Sequence, residues 1–114
     1  MEERSPLTWS EFERVEIRTG TILEAIVFEE AKNPAYKLTI DFGEFGILKS
    51  SAQITKLYTT SELIGKQIVA VVNFPKKQIG PFMSECLVLG AVGEDKTVTL
   101  LQPERNVING LRIA

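Results

Sequence analysis

A strict alternation of apolar and polar residues over positions 36–42 constrains the fold of this chain more than any other feature. The segment reads Tyr-Lys-Leu-Thr-Ile-Asp-Phe, so every second side chain is apolar. Successive side chains of a β-strand point to opposite faces, and the pattern therefore predicts a strand with one buried and one solvated face. This is the clearest strand in the sequence.

Five further segments have the composition of strands and extend this prediction to an all-β domain. The first of them is interrupted by Gly20, and a glycine within a strand predicts a bulge or a sharp bend. The five predicted strands lie at residues 15–27, around 45–50, and at 67–74, 86–92 and 96–101.

Two short helices are predicted from the residues at their ends. Thr8 and Glu11 have the spacing of a capping box, which predicts a helix over residues 9–14. A second helix is expected within residues 52–65, with Ser61 as its N-cap.

The predicted order is three strands, a helix and two strands, with short additions at both ends. This order matches a five-stranded oligonucleotide/oligosaccharide-binding (OB) barrel, whose helix lies between strands three and four. The bend expected at Gly20 is consistent with a barrel, because closure needs long, kinked strands. A length of 114 residues with 44% apolar residues predicts one domain over residues 1–114 with its own core.

The connection at residues 73–90 has the composition of a segment that contacts a ligand. Two prolines restrict its backbone, two adjacent lysines offer positive charge, and a Phe-Met pair offers apolar contact. On an OB barrel it joins strands four and five, a usual rim of the ligand site. An alternative for Phe74 and Ile79 is that they cover the end of the barrel.

Charge is distributed unevenly along the chain. The net charge is −2, which argues against a protein dominated by nucleic-acid binding. Residues 1–46 carry a net charge of −5, whereas residues 47–82 carry five lysines and one glutamate. The middle segment is therefore where an anionic partner would bind, unless its lysines are only scattered over a solvated surface.

Few residues have the chemistry of a catalyst. The sequence contains no histidine, the commonest general base and metal ligand. Cys86, the single cysteine, begins an apolar strand beside Glu85, an environment that raises a thiol pKa and suits a core residue. Carboxylate pairs such as Asp41 with Glu44 lack the further oxygen ligands that a cation needs. We therefore expect a protein that is not an enzyme and that needs no cofactor or metal.

The sequence also predicts where the protein is found. No segment approaches the ~20 apolar residues of a membrane helix. The N-terminus has no apolar core of a secretion signal, and a single cysteine excludes an intramolecular disulfide. We expect a soluble, cytoplasmic protein without membrane insertion.

Several segments resemble one family, the tRNA-binding OB domains. These occur as free-standing dimeric proteins and as the C-terminal part of methionyl-tRNA synthetases. Residues 12–22 resemble the opening of such domains, and residues 49–54 resemble the segment before their helix. The chain most resembles the CsaA branch, small bacterial and archaeal proteins regarded as export-related chaperones. The segments that carry this likeness are residues 35–43, 71–75, 79–85, 87–90 and the end around 109–110.

One departure from the family pattern bears on function. The tRNA-binding relatives typically carry Gly-Met after Ser-Gln or Ser-Glu, whereas here Ser84 and Glu85 are followed by Cys86 and Leu87. The CsaA branch shares this form. The resemblance therefore implies a dimeric chaperone that binds unfolded or pre-export polypeptides and also tRNA. The alternative is a structure-selective tRNA-binding protein that acts on tRNA or a synthetase without a chaperone role.

The two activities would use different side chains of the same region. Polypeptides would contact the apolar residues, and methionine adapts to varied partners. Lysines would neutralise tRNA phosphates, polar groups would bind sugars or bases, and aromatic rings would stack on bases. The candidate residues are Lys49, Ser50, Ser51, Gln53, Asn73, Phe74, Lys76, Lys77, Gln78, Phe82, Met83, Ser84 and Glu85.

Apolar residues near both ends predict a homodimer. A lone barrel does not need them, and packing between two copies would bury them. They could instead pack on their own barrel. The candidate interface residues are Trp9, Phe12, Ile108, Leu111 and Ile113.

Overall fold

The alternating segment forms the strand that its sequence predicts. The structure, a computed structural model, describes residues 5–114. Strand β2 (Tyr36–Asp41) directs Tyr36, Leu38 and Ile40 into the core, and Phe42 follows them there, fully buried. The polar residues between them are only half-buried, as the period of two requires.

Five strands form the main sheet and wrap into a nearly closed barrel. Its order is β3-β2-β1-β4-β7, and every neighbouring pair is antiparallel. The five-stranded OB-type barrel predicted from the sequence is confirmed. The strands of this sheet are β1 (Ile17–Val27), β2, β3 (Ile47–Ala52), β4 (Gln67–Val71) and β7 (Leu87–Val88).

Two hairpins and two short helices complete the described chain. The first hairpin pairs β5 (Lys77–Ile79) with β6 (Phe82–Ser84), and the second pairs β8 (Gly90–Val92) with β9 (Val98–Leu100). Helix α1 is Trp9–Glu13, and α2 (Thr60–Leu63) lies between β3 and β4, as in the predicted order.

The register of the first strand does not shift at Gly20, where a bulge or a bend was predicted, but a few residues later. The register of β1 against β2 shifts between Ile22 and Glu24, so the bulge lies past Gly20. Gly20 serves close packing instead, because a Cβ there would lie 2.7 Å from Cε1 of Phe42. The glycine lets the fully buried Phe42 ring cross directly over the backbone of β1.

Both helices begin with a capping box, but the second begins earlier than predicted. At α1, Thr8 and Glu11 exchange hydrogen bonds as expected. At α2 the N-cap is Thr59, which pairs with Glu62, so the assignment of Ser61 was wrong. Thr59 takes this place because a glutamate stands three residues after it.

The segments after β4 differ most from the prediction. The connection at residues 73–90 was expected to be a loop between two strands, yet it contains the hairpin β5–β6. The single strand predicted at residues 86–92 is two strands, because the chain leaves β4 after Leu89 and pairs with β9. A Cβ at Gly90 would lie 2.5 Å from Cγ1 of Val98, so only glycine allows this close pairing.

The C-terminal segment is part of the barrel rather than an appendage. Beyond the end of β2, Arg112 forms a β-bridge with Arg18 on β1. The hydroxyl of Thr19 donates to the carbonyl of Ile108, and the N–H of Gly110 donates to the carbonyl of Thr19. These residues therefore occupy the place beside β1 that β2 leaves open.

Candidate functional site

The hairpin β5–β6 places the adjacent side chains of Phe82 and Met83 on opposite faces. Phe82 pairs with Ile79, whereas Met83 pairs with Gln78 on the other face. The Phe82 ring packs edge-on against Phe28, with their centroids 5.4 Å apart. Met83 points outward and is 40% exposed. The two side chains therefore do not form the single apolar contact that their adjacency suggested.

Side-chain hydrogen bonds fasten the base of this hairpin to the free edge of β3. The backbone N–H of Lys49 donates to Oε1 of Glu85 (2.9 Å), and the N–H of Glu85 donates to the carbonyl of Lys49 (2.7 Å). The N–H of Ser51 donates to the hydroxyl of Ser84. A carboxylate and a hydroxyl thus supplement the backbone hydrogen bond from Glu85 to Lys49 where the barrel closes.

Two of the residues predicted to contact a ligand instead use their side chains for hydrogen bonds within the fold. Ser50 is 1% exposed, and its hydroxyl donates to the carbonyl of Cys86. The Asn73 amide accepts from the N–H of Glu16 and donates to the carbonyl of Arg14. Both side chains position the candidate site rather than face it.

An open groove lies between the hairpin and the ends of β4 and β7. Its volume is about 570 Å³, within the range of ligand sites. Phe74 and Leu87 are 55% and 48% exposed and supply apolar surface, so Phe74 does not cover the barrel end. We call this space the hairpin groove; it is lined by Phe74, Pro75, Lys76, Lys77, Gln78, Ser84, Glu85, Cys86 and Leu87.

Positive charge surrounds the hairpin groove. Lys76 lies 3.4 Å from Oε2 of Glu85, and this exposed pair contributes little to stability. In the described part of the chain, Lys77 makes no ion pair and is exposed. The side chain of Lys49 is also exposed on the neighbouring strand.

Lys37 contacts an aromatic ring of the hairpin, which the sequence interpretation missed, although it does not line the hairpin groove. The ammonium of Lys37 lies 5.2 Å from the ring centroid of Phe28 and 6.0 Å from that of Phe82. These distances are those of cation–π contacts. Lys37 alternates with the buried residues of β2, so its outward direction could have been read from the sequence.

The remaining predicted site residue, Gln53, lies apart from the hairpin groove. It lines a second, mostly apolar groove of about 370 Å³ along the barrel closure. We call this the seam groove; it is lined by Ser51, Ala52, Gln53, Ile54, Leu87, Val88, Leu89, Gly90, Val92 and Val98. Leu87 belongs to both grooves, so the two adjoin.

Cys86 has the environment of a core residue. Burial raises the pKa of its thiol to about 12, and the charge of Glu85 adds to this. The direction agrees with the sequence prediction. No group of three or more Cys, Asp or Glu side chains within residues 5–114 could hold a metal ion. None of the helices described is long and apolar enough to cross a membrane.

The residues proposed for a dimer interface differ in exposure. Trp9 and Ile108 are 85% and 76% exposed, and Leu111 is 44% exposed. Phe12 and Ile113 are half-buried. Trp9 and Phe12 line a small cleft with Leu7, Thr8 and the chain end at Ala114.

Together, the barrel and its lysine-bearing hairpin define a small binding domain of the OB type. Residues 17–112 match the family described as "Putative tRNA binding domain". The chain belongs to this family of tRNA-binding-type OB domains.

Solved structures of CsaA chaperones are close matches over the whole fold. That of Bacillus anthracis CsaA is 50% identical, with a TM-score of 0.92, and the alignment covers 96% of this chain and all of that one. CsaA from Picrophilus torridus is also 50% identical, with a TM-score of 0.89 and the same coverage.

A more distant likeness connects the chain to methionyl-tRNA synthetases. The methionine–tRNA ligase of Leptospira biflexa is 38% identical over 104 residues, which are 91% of this chain. The chain spans only 15% of the length of that enzyme.

Proposed function

We propose that this protein is a cytoplasmic chaperone that acts by binding alone and holds unfolded or pre-export polypeptides at the hairpin groove. The observation that carries this proposal is the exposure of Phe74 and Leu87 in a groove bordered by lysines. Apolar side chains of an unfolded client would lower their free energy by moving out of water and into contact with these two residues. The full-length likeness to CsaA chaperones supports the same activity.

A matched pair of substitutions tests the apolar contact. Leu87 and Leu57 are equally exposed, at 48% and 50%, but only Leu87 lines the hairpin groove. Leu87→Ser should weaken binding of a permanently unfolded polypeptide by about tenfold, roughly the loss of one buried leucine contact. Leu57→Ser should leave it unchanged. Binding is measured by the fluorescence anisotropy of the polypeptide. Equal effects of the two substitutions on its affinity would refute the proposal.

A second candidate function is tRNA binding, favoured by the family match and by the lysines at the groove. Lys49, Lys76 and Lys77 are all exposed and could each neutralise a phosphate. With two or three phosphate contacts, the affinity is modest and its salt dependence shallow. The double variant Lys76→Gln/Lys77→Gln should weaken tRNA binding and flatten its salt dependence, whereas Lys32→Gln should not. If the double variant binds tRNA as tightly as the wild type, the hairpin lysines do not contact tRNA.

A homodimer would double these contacts, and we propose that Trp9 and Ile108 lie in its interface. Both expose more apolar surface than a lone barrel needs. Removing the C-terminal segment would damage the barrel, because its backbone bonds to Thr19 on β1. Sedimentation of Trp9→Ser and Ile108→Ser is therefore the test, and an unchanged dimer, or a wild-type monomer, would contradict the interface.

A further inference from the structure

A small surface pocket of this protein is lined by two lysines and by no carboxylate. It lies where the loop between β1 and β2, the segment after β3 and the turn between β8 and β9 meet. Its volume of about 130 Å³ is below the range of sites that enclose a whole small molecule, so it suits a single small group. We call it the lysine pocket; it is lined by Asn33, Pro34, Gln53, Thr55, Lys56 and Lys96.

The turn between β8 and β9 places both lysines of this pocket. The ammonium of Lys56 donates a hydrogen bond to the carbonyl of Asp95. Asp95 and Lys96 have φ values of 56° and 60°, a left-handed conformation that a lysine rarely adopts. Backbone strain of this kind is found where a functional side chain must be held in one place. Although Glu94 and Asp95 adjoin Lys96 in the chain, neither lysine forms an ion pair within residues 5–114.

Shared residues connect the lysine pocket to the hairpin groove. Gln53 lines both the lysine pocket and the seam groove, and Leu87 lines both the seam groove and the hairpin groove. The three concavities therefore form one path along the barrel closure, with lysines at each end and none in the seam groove between them. The seven residues from Lys49 to Lys56 span at most about 25 Å. At about 3.4 Å per stacked nucleotide, this length suits roughly seven nucleotides or fewer, within the site sizes of OB domains.

We propose that the lysine pocket binds a backbone phosphate of the same RNA that the hairpin lysines contact. This inference rests on tRNA binding, the second candidate function, and adds a contact site to it. The nucleotides between the two ends would lie along the uncharged seam groove, where bases can pack on apolar surface and Gln53 can donate to a sugar or a base. A phosphate contact at the far end would steepen the salt dependence that the hairpin lysines alone produce.

The lining of the pocket favours a phosphate over a carboxylate of a client polypeptide. Two ammonium groups, two side-chain amides and one hydroxyl line it, and all of them can donate hydrogen bonds. A phosphate group has more acceptor oxygens than a carboxylate and can therefore use more of these donors. Lysine also binds phosphate well as a point charge, without the planar geometry that arginine brings to a carboxylate.

Binding of tRNA at several salt concentrations tests the pocket. Lys56→Gln/Lys96→Gln should weaken tRNA binding at low salt and reduce the slope of log K against log salt by about one. Arg105→Gln should change neither quantity, because the Arg105 side chain is 80% exposed and lines none of the three concavities. Gln53→Glu keeps both lysines and the turn in place, and its negative charge in the pocket should weaken binding by about fivefold. Urea unfolding verifies that each variant is folded.

The possible outcomes separate this inference from the function on which it rests. If either pocket variant binds tRNA as tightly as the wild type, the lysine pocket holds no phosphate and the inference is overturned. A loss of affinity in Lys76→Gln/Lys77→Gln would still support tRNA binding at the hairpin in that case. If the wild type binds no tRNA, both fail. If the pocket variants weaken binding of an unfolded polypeptide as much as that of tRNA, the occupant is a polypeptide and the inference is also overturned.

Discussion

Glu85 is predicted to stabilise the hairpin through its hydrogen bond to β3 rather than through its ion pair. Its Oε1 accepts from the N–H of Lys49 at 2.9 Å, and its Oε2 lies 3.4 Å from the ammonium of Lys76. A hydrogen bond to a charged group contributes about 1.5–3 kcal/mol. The side chain of Lys76 is 67% exposed, so the ion pair contributes at most ~1 kcal/mol.

Glu85→Ala should therefore lower the free energy of unfolding by about 1–2 kcal/mol, since water can partly replace the acceptor at the exposed Lys49. This corresponds to a fall in Tm of roughly 5–10 °C for a domain of this size. Glu85→Gln keeps an uncharged acceptor and should cost about half as much. Lys76→Gln removes only the ion pair and should cost less than ~0.5 kcal/mol.

Urea unfolding of these three variants measures the differences. Hydrogen exchange at the Lys49 amide provides a local readout, because this N–H should lose protection in Glu85→Ala and keep it in Lys76→Gln. The reasoning is refuted if Lys76→Gln is as destabilising as Glu85→Ala. It is also refuted if Glu85→Ala leaves exchange at Lys49 unchanged.

Four further predictions concern the barrel and its turns. Gly20→Ala should destabilise by at least ~1–3 kcal/mol in urea, because its Cβ would overlap the ring of Phe42; a neutral result contradicts that contact. Lys96→Gly should raise the unfolding free energy by about 0.5–1 kcal/mol, because Lys96 has a φ of 60°; unchanged thermal unfolding would argue against this strain. Cys86 should react with iodoacetamide at pH 8.5 only as fast as the protein unfolds, and rapid labelling would contradict its burial. The pKa of the Cys86 thiol is raised in the folded state, so the stability that this shift contributes is present below pH ~9 and lost towards pH 12. Unfolding free energies of the wild type and Cys86→Ala, measured across this pH range, should show the loss in the wild type alone.

Local patterns determined much of the fold before any tertiary contact was known. The alternation around Leu38 required a strand with one buried face, since side chains on a strand repeat every two residues. The capping box of Thr8 with Glu11 depends only on residues three apart and formed as predicted. The strand order and the position of α2 followed from such local features.

Only the tertiary structure decided how the candidate residues are used. Phe82 and Met83 are adjacent in sequence, but the pairing of β5 with β6 places them on opposite faces. Ser50 is buried because its hydroxyl meets a carbonyl 36 residues away, a contact that no local pattern specifies. The sequence by itself thus determined the strands as far as β4 and the residue types near the hairpin. Long-range packing decided which side chains close the barrel and which, such as Phe74, remain free for a partner.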